Sequence, residues 1–272
     1  KHGISLYEAN AENVHLPHPQ IFRDVREIGV CDLVIVALKA TSNNELERLL
    51  PALLGEETML LTLQNGLGNE EFLAGHFGAE RVLGGLCFVC LTRRTPASVD
   101  HIGRGNLSIG EFGRAPLPRT YRVVEAFQQS GIETKIVEDL GAERWRKLVW
   151  NIPFNGLAVA EGGLSVDKIL ADPLLKLRCR ALMEETIKGA TTLGYPIAQN
   201  FADFQIERTY PMGPYKPSTL VDWQTGKELE LEAIWGEPLR RAQHAGLSLP
   251  HLEQLYTRLK GLRAPISENP TA

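Results

Sequence analysis

The sequence has little of what marks several large protein classes. It carries four cysteines in 272 residues, too few for a disulfide-stapled secreted scaffold. Its lysines and arginines nowhere cluster, and 29 basic against 33 acidic residues leave a net charge of −4, which gives no support to a nucleic-acid partner. Apolar runs such as CDLVIVAL fall well short of the ~20 residues of a membrane-spanning helix. No secretory leader pattern is present, so reduced thiols and a cytoplasmic location are expected. The pair in CFVC (87–90) has no second pair or histidine beside it. On a strand, residues three apart face opposite sides, so both cysteines are expected as buried small hydrophobes and not as a metal site. His15 and His18, in HLPHPQ, read as loop residues. The opening KHGISLYEAN also lacks an initiator methionine and an early hydrophobic strand, and an upstream segment is therefore expected.

What is present is ordinary in bulk and informative in order. The composition, 43% apolar and 23% charged, is that of a globular protein, and the length suits one large domain or two moderate ones. Through the first half, short apolar runs alternate with helical periodicity. CDLVIVALKA (31–40) reads as a strand buried on both faces, and NNELERLLPALL (43–54) as a helix. TMLLTLQNGLGNEE (58–71) reads as a second strand entering a glycine-rich turn and a helix. RVLGGLCFVCLTRR (81–94) reads as a third strand, and LSIGEFG (107–113), after the turn HIGRG, as a fourth. Residues 119–131 read as helix and 132–139 as strand. Such alternation implies an α/β domain with a parallel sheet. From about residue 140 the pattern is helical, over 141–155, 173–194, 199–208, 226–246 and 250–262, which places a domain boundary near 138–140. The tail APISENPTA is expected to fray.

Three stretches carry chemistry. In LQNGLGN (63–69) the turn sits at the C-terminal end of a buried strand, where open α/β sheets bind ligands. Gly66 and Gly68 allow close backbone approach there, and Asn65 offers donor and acceptor. Lys39 ends the preceding strand at the same rim. In KPSTLVDWQTGKELELEAIWG (216–236), Ser218 precedes an expected loop leading to a predicted helix bearing Glu228, Glu230 and Glu232, with Glu230 directed to the core. In ERWRKLVWNIPFN (143–155), Lys147, Asn151 and Asn155 recur every four residues among apolar neighbours, and so form one polar stripe on a helix. A lysine on an inner face needs a partner or a task, because an uncompensated buried ammonium costs several kcal/mol. Pro153 should kink that helix between the two asparagines.

Taken together, these stretches resemble ketopantoate reductases (2-dehydropantoate 2-reductases). The resemblance is carried by VIVALKA, LTLQNGLGNEE, HIGRGNLSIGEF, RWRKLVWNIPFN and PSTLVDWQTGKELELEAIWG, in the family's order and spacing. It implies a Rossmann-type dinucleotide-binding domain over 1–138 and a helical substrate and catalytic domain over 139–272. NADPH would deliver hydride to the C2 carbonyl of ketopantoate, in pantothenate biosynthesis, with Lys147 as general acid. The resemblance further implies that Asn65, Asn151, Asn155, Ser218 and Glu230 bind substrate, and that Lys39, Asn65 and Glu230 contact the cofactor. No metal is implied, and a homodimer is left open. The family's first strand and its glycine-rich G-x-G-x-x-G turn, roughly 30 residues, are expected ahead of Lys1. Two positions depart from the family pattern: Pro153 comes one turn early, and Trp235 stands where the family has asparagine. Bulk at Trp235, near Glu230, is expected to reshape the pocket. These two departures keep open a reductase of a different 2-oxo or 3-oxo acid, and a non-catalytic binding protein stays open if the N-terminal segment is truly absent.

Overall fold

The structure, a computed structural model, describes residues 3–9, 12–102 and 105–262. In chain order its elements are β1 (Ile4–Glu8), β2 (Val14–Leu16), β3 (Leu33–Val36), α1 (Asn43–Leu49), β4 (Met59–Thr62), α2 (Asn69–Phe77), β5 (Val82–Phe88), β6 (Leu91–Thr95), β7 (Ser98–His101), β8 (Asn106–Glu111), α3 (Pro118–Gln129) and β9 (Glu133–Ile136). Helices follow: α4 (Leu140–Ala160), α5 (Val166–Ala171), α6 (Pro173–Thr192), α7 (Phe201–Glu207), α8 (Ser218–Gln224), α9 (Glu237–His244) and α10 (Pro250–Gly261).

The described chain splits into two compact units, the first spanning 1–37, 44–64 and 70–140. Its main sheet has the order β3-β4-β5-β8-β9. Residues alternate across it as the pleat requires. Leu60 and Val82 join Val36, Leu46, Leu50 and Leu73 in one apolar cluster. Their sequence neighbours Leu61 and Leu83 join Ile109, Val123 and Val124 in another. Three ladders are parallel, as expected, but β5 and β8 pair antiparallel. The cause is the connection: no crossover helix separates these two strands, and parallel pairing needs one.

The expected third strand, 81–94, is two strands. β5 is buried, whereas β6 is exposed along its length, because the chain leaves the main sheet at Val89 and Cys90 to enter a small one. That second sheet, of order β2-β1-β7-β6, carried no strong sequence signal because it contributes no residue to the buried core. Ile35 of β3 is 44% exposed, so among the described residues this strand is not buried on both faces. Cys87 and Cys90 are half-buried instead of buried, and His15 lies in β2, hydrogen-bonded with Ser5 Oγ at 2.9 Å. No group of three His, Cys, Asp or Glu residues suited to a metal ion occurs among the described residues.

The second unit takes in 38–43, 65–69 and the chain from 141 onward. Its core runs along α4, through Trp145, Leu148, Val149, Ile152 and Leu157, and includes Leu182, Met183 and Ile187 of α6 and Leu252, Leu255 and Leu259 of α10. The expected helix over 226–246 is shorter. Gly226, at φ +68°, follows α8, and residues 227–230 have no regular structure. The helix starts only at Leu231, through a π-helical turn over Glu232–Gly236 that runs into α9. Glu228 and Glu230 are therefore not helical. α5 was not expected from the sequence. None of the described helices is long and apolar enough to cross a membrane. The tail 264–272 lies outside the described residues, as do two positions of HIGRG.

Candidate active site

α4 sets the polar stripe. Lys147, Asn151 and Asn155 lie on it at successive turns, Lys147 half-buried and the two amides 8% and 2% exposed. Pro153 sits inside this helix without ending it. Beside it, the indole N–H of Trp235 donates to the Ile152 carbonyl at 3.0 Å. Gly156 makes room for that ring: a Cβ there would lie 2.6 Å from Leu255 Cδ2 and 3.0 Å from the indole nitrogen. Trp235 is fully buried in the helical core. Its bulk fills that core.

The turn after β4 supplies the partner for the lysine. Lys147 Nζ donates to Asn65 Oδ1 at 2.9 Å, and Asn65 is also hydrogen-bonded to the Glu230 carboxyl. Two supports hold Asn65 in place. Asn69, at the start of α2 and 1% exposed, donates from Nδ2 to the Asn65 carbonyl at 2.9 Å and accepts from Asn43 Nδ2 at 3.0 Å. The Leu67 N–H donates to the Ala233 carbonyl at 2.9 Å, and the Leu67 side chain joins the helical core. Gly66 makes the close approach possible. Its φ is +84°, and a Cβ would stand 2.3 Å from the Ala233 carbonyl oxygen, so no other residue fits without moving the turn.

Glu230, in the irregular segment before the π-helical turn, accepts the Ala40 N–H at Oε1, 3.0 Å. Burial pushes its pKa up from the ordinary glutamate value, against the Ala40 hydrogen bond and the nearby Lys39 charge, which pull it down. Lys39 closes an ion pair with Asp222 of α8 and donates to the Glu228 carbonyl at 3.4 Å. Ser218, the first residue of α8, is exposed. Thr219, next to it, donates its backbone N–H to Asn155 Oδ1 at 3.3 Å, which ties the start of α8 to the stripe.

Lys147, Asn65 and Glu230 thus form one hydrogen-bonded chain, and Lys39 acts on its Glu230 end through charge. Asn155 joins through α4 and Thr219. Asn151 and Ser218 have no side-chain hydrogen bond among the described residues. Sequence reasoning missed Asp222, Asn43 and Asn69. Asn69 could have been found, since it follows the glycine-rich turn and opens a helix with two glutamates behind it. Asp222 and Asn43 left no pattern, because their partners are distant in sequence or lie in an irregular turn.

The family described as Ketopantoate reductase PanE/ApbA matches residues 1–114, and its C-terminal counterpart matches residues 139–263. The chain is 36% identical over 262 residues to a 2-dehydropantoate 2-reductase of Nostoc sp., covering 94% of this chain and 82% of the relative. A crystal structure of 2-dehydropantoate 2-reductase from Geobacter metallireducens superposes with a TM-score of 0.92 at 41% identity, covering 95% of this chain and 86% of that one. A 2-dehydropantoate 2-reductase structure from Methylococcus capsulatus superposes with a TM-score of 0.87 at 29% identity, over 94% and 83% of the two chains.

Proposed function

The chain belongs to the ketopantoate reductase family, as an oxidoreductase using a nicotinamide cofactor on a small keto acid, and on that premise we propose that it reduces 2-dehydropantoate to pantoate with NADPH. In this reading residues 1–138 form the dinucleotide-binding domain and 139–272 the helical domain that carries the substrate. The observation that carries the proposal is the chain from Lys147 through Asn65 to Glu230, flanked by Asn151 and Ser218, whose side chains have no hydrogen bond among the described residues.

The donor set suits the polar edge of a nicotinamide nucleotide, whose ribose hydroxyls and carboxamide both donate and accept. Asn65 and Glu230 would take those groups, and Lys39 would add a positive charge at the rim. When bound, the cofactor supplies the hydride for the C2 carbonyl. Reduction puts negative charge on the carbonyl oxygen, and a proton must reach it. Lys147 is the group to give that proton, and its ammonium stabilises the charge as it develops. The Asn65 side-chain amide oxygen Oδ1, 2.9 Å from Nζ, holds the ammonium in place and cannot take its proton. Asn151 and Asn155 would orient the substrate, Ser218 its carboxylate, and Glu230 its hydroxyl. The test is oxidation of NADPH and of NADH against a panel of 2-oxo acids. Turnover fastest with ketopantoate and NADPH is the expected result. A clear preference for another acid would move the chain to a different reductase, and no turnover with any acid would remove the catalytic reading.

A further inference from the structure

Asp222 has no part in the chemistry above, yet it stands among its groups. It lies on α8 four residues after Ser218, which puts both side chains on one face of that helix. Its carboxylate pairs with the Lys39 ammonium, with side chains 17% and 35% exposed respectively. Ala40, the residue after Lys39, donates its N–H to Glu230 Oε1, so Lys39 and Glu230 are held close together. Glu230 responds to both charges, lowered by Lys39 and raised by Asp222. Lys147 is linked to Glu230 through Asn65. Lys39 therefore has two carboxyl groups within range of its charge and pairs with Asp222.

We propose that Asp222 is a positioning residue: it holds the Lys39 ammonium off Glu230, and so leaves the Glu230 carboxyl open to a hydroxyl on the substrate. A charge-assisted bond is roughly twice as strong as a neutral one. An ammonium seated on Glu230 would have to be displaced by any hydroxyl that binds there. The inference rests on the reading of Glu230 as the group that receives the substrate hydroxyl.

Asp222→Asn removes the charge and keeps the shape, and Asp222→Glu keeps the charge. In substrate-free protein labelled with carbon-13 at the glutamate carboxyls, with Glu230 assigned by Glu230→Gln, the Glu230 titration should fall by about one unit or more in Asp222→Asn, because a contacting opposite charge favours the ionised form. In Asp222→Glu it should stay near wild type. In steady-state assays Asp222→Asn should raise KM for ketopantoate about tenfold or more, the scale of a lost hydrogen bond to a charged group. For the same acid without its hydroxyl, KM should change less than about threefold. An unmoved Glu230 titration in folded Asp222→Asn overturns the proposal, as do equal KM changes for both acids. If the wild type reduces neither acid, the proposed function fails, while the titration still judges Asp222. If Asp222→Asn does not fold, the Lys39→Met and Asp222→Asn pair leaves no charge unmatched. Glu230 should then titrate within about half a unit of wild type, and a rise of about a unit or more would show that the Lys39 ammonium is already seated on Glu230 in the wild type and overturn the proposal.

Discussion

At the scale of single residues, Lys147 and Glu230 make opposite demands on their surroundings. Lys147 is a cation with a neutral amide acceptor at 2.9 Å, a contact that orients it. A general acid contributes roughly 10²–10⁴-fold to rate, so Lys147→Ala should lose kcat on that scale while NADPH affinity and melting temperature hold. Lys147→Arg should rescue little, because guanidinium is wider and almost never gives up its proton. A kcat for Lys147→Ala within about threefold of wild type, a change under ~1 kcal/mol, would remove the assignment. Glu230 is a carboxyl whose pKa is raised by burial. It binds its proton more tightly in the folded chain than in the unfolded one. Its contribution to stability is therefore complete below the unfolded pKa and is lost as pH rises through the raised folded value. Glu230→Gln stays neutral and can still accept the Ala40 N–H. Its melting temperature relative to wild type should climb as pH rises from the ordinary glutamate range toward neutrality. A difference flat with pH would show that burial does not penalise the Glu230 charge.

At the scale of elements, the site depends on a turn and on a helix that departs from regular geometry. The turn needs Gly66, at φ +84° and against the Ala233 carbonyl. Gly66→Ala should cost about 1–2 kcal/mol for the left-handed backbone alone, and more for the clash. Because Asn65 is the neighbouring residue, kcat should fall together with the melting temperature. A variant with wild-type turnover and stability would mean that the turn does not set Asn65. The π-helical turn over Glu232–Gly236 presents the Ala233 carbonyl to Leu67 and the Trp235 indole to Ile152. Helical periodicity predicts a helix across 226–246, since the apolar spacing persists through Leu229, Leu231 and Ile234. The break at Gly226 and the irregular segment after it are set by bonds to residues far away in sequence, the Ala40 N–H and the Lys39 ammonium. No periodicity carries that information.

At the scale of the molecule, burial is uneven. Among the described residues, the helical unit shares one continuous apolar cluster, whereas the first unit has three smaller ones, and the small sheet contributes to none. β2 and β6 are exposed throughout, and Tyr7, Val14, Leu16 and Leu91 all face solvent. Few buried apolar contacts mean cheap local opening. Native-state hydrogen exchange should therefore find the amides of β1, β2, β6 and β7 exchanging roughly a hundredfold or more faster than those of α4, α6 and α10. Equal protection across both groups would contradict this distribution of stability.

The sequence alone was enough to show the strand–helix alternation, the lysine–asparagine stripe and the glycine-rich turn, because each is written in short-range spacing: period two, period four and local φ demands. It also carried the resemblance to ketopantoate reductases that the family and structural matches confirm. Tertiary structure decided where the partners lie. It set Asn65 against Lys147 across 82 positions, Ala40 against Glu230 across 190, and Trp235 against Ile152 across 83. It also buried Trp235 in the helical core, and gave Lys39 to Asp222. Such choices are made by desolvation and hydrogen-bond geometry between segments that meet only in the folded chain, and those have no period to read.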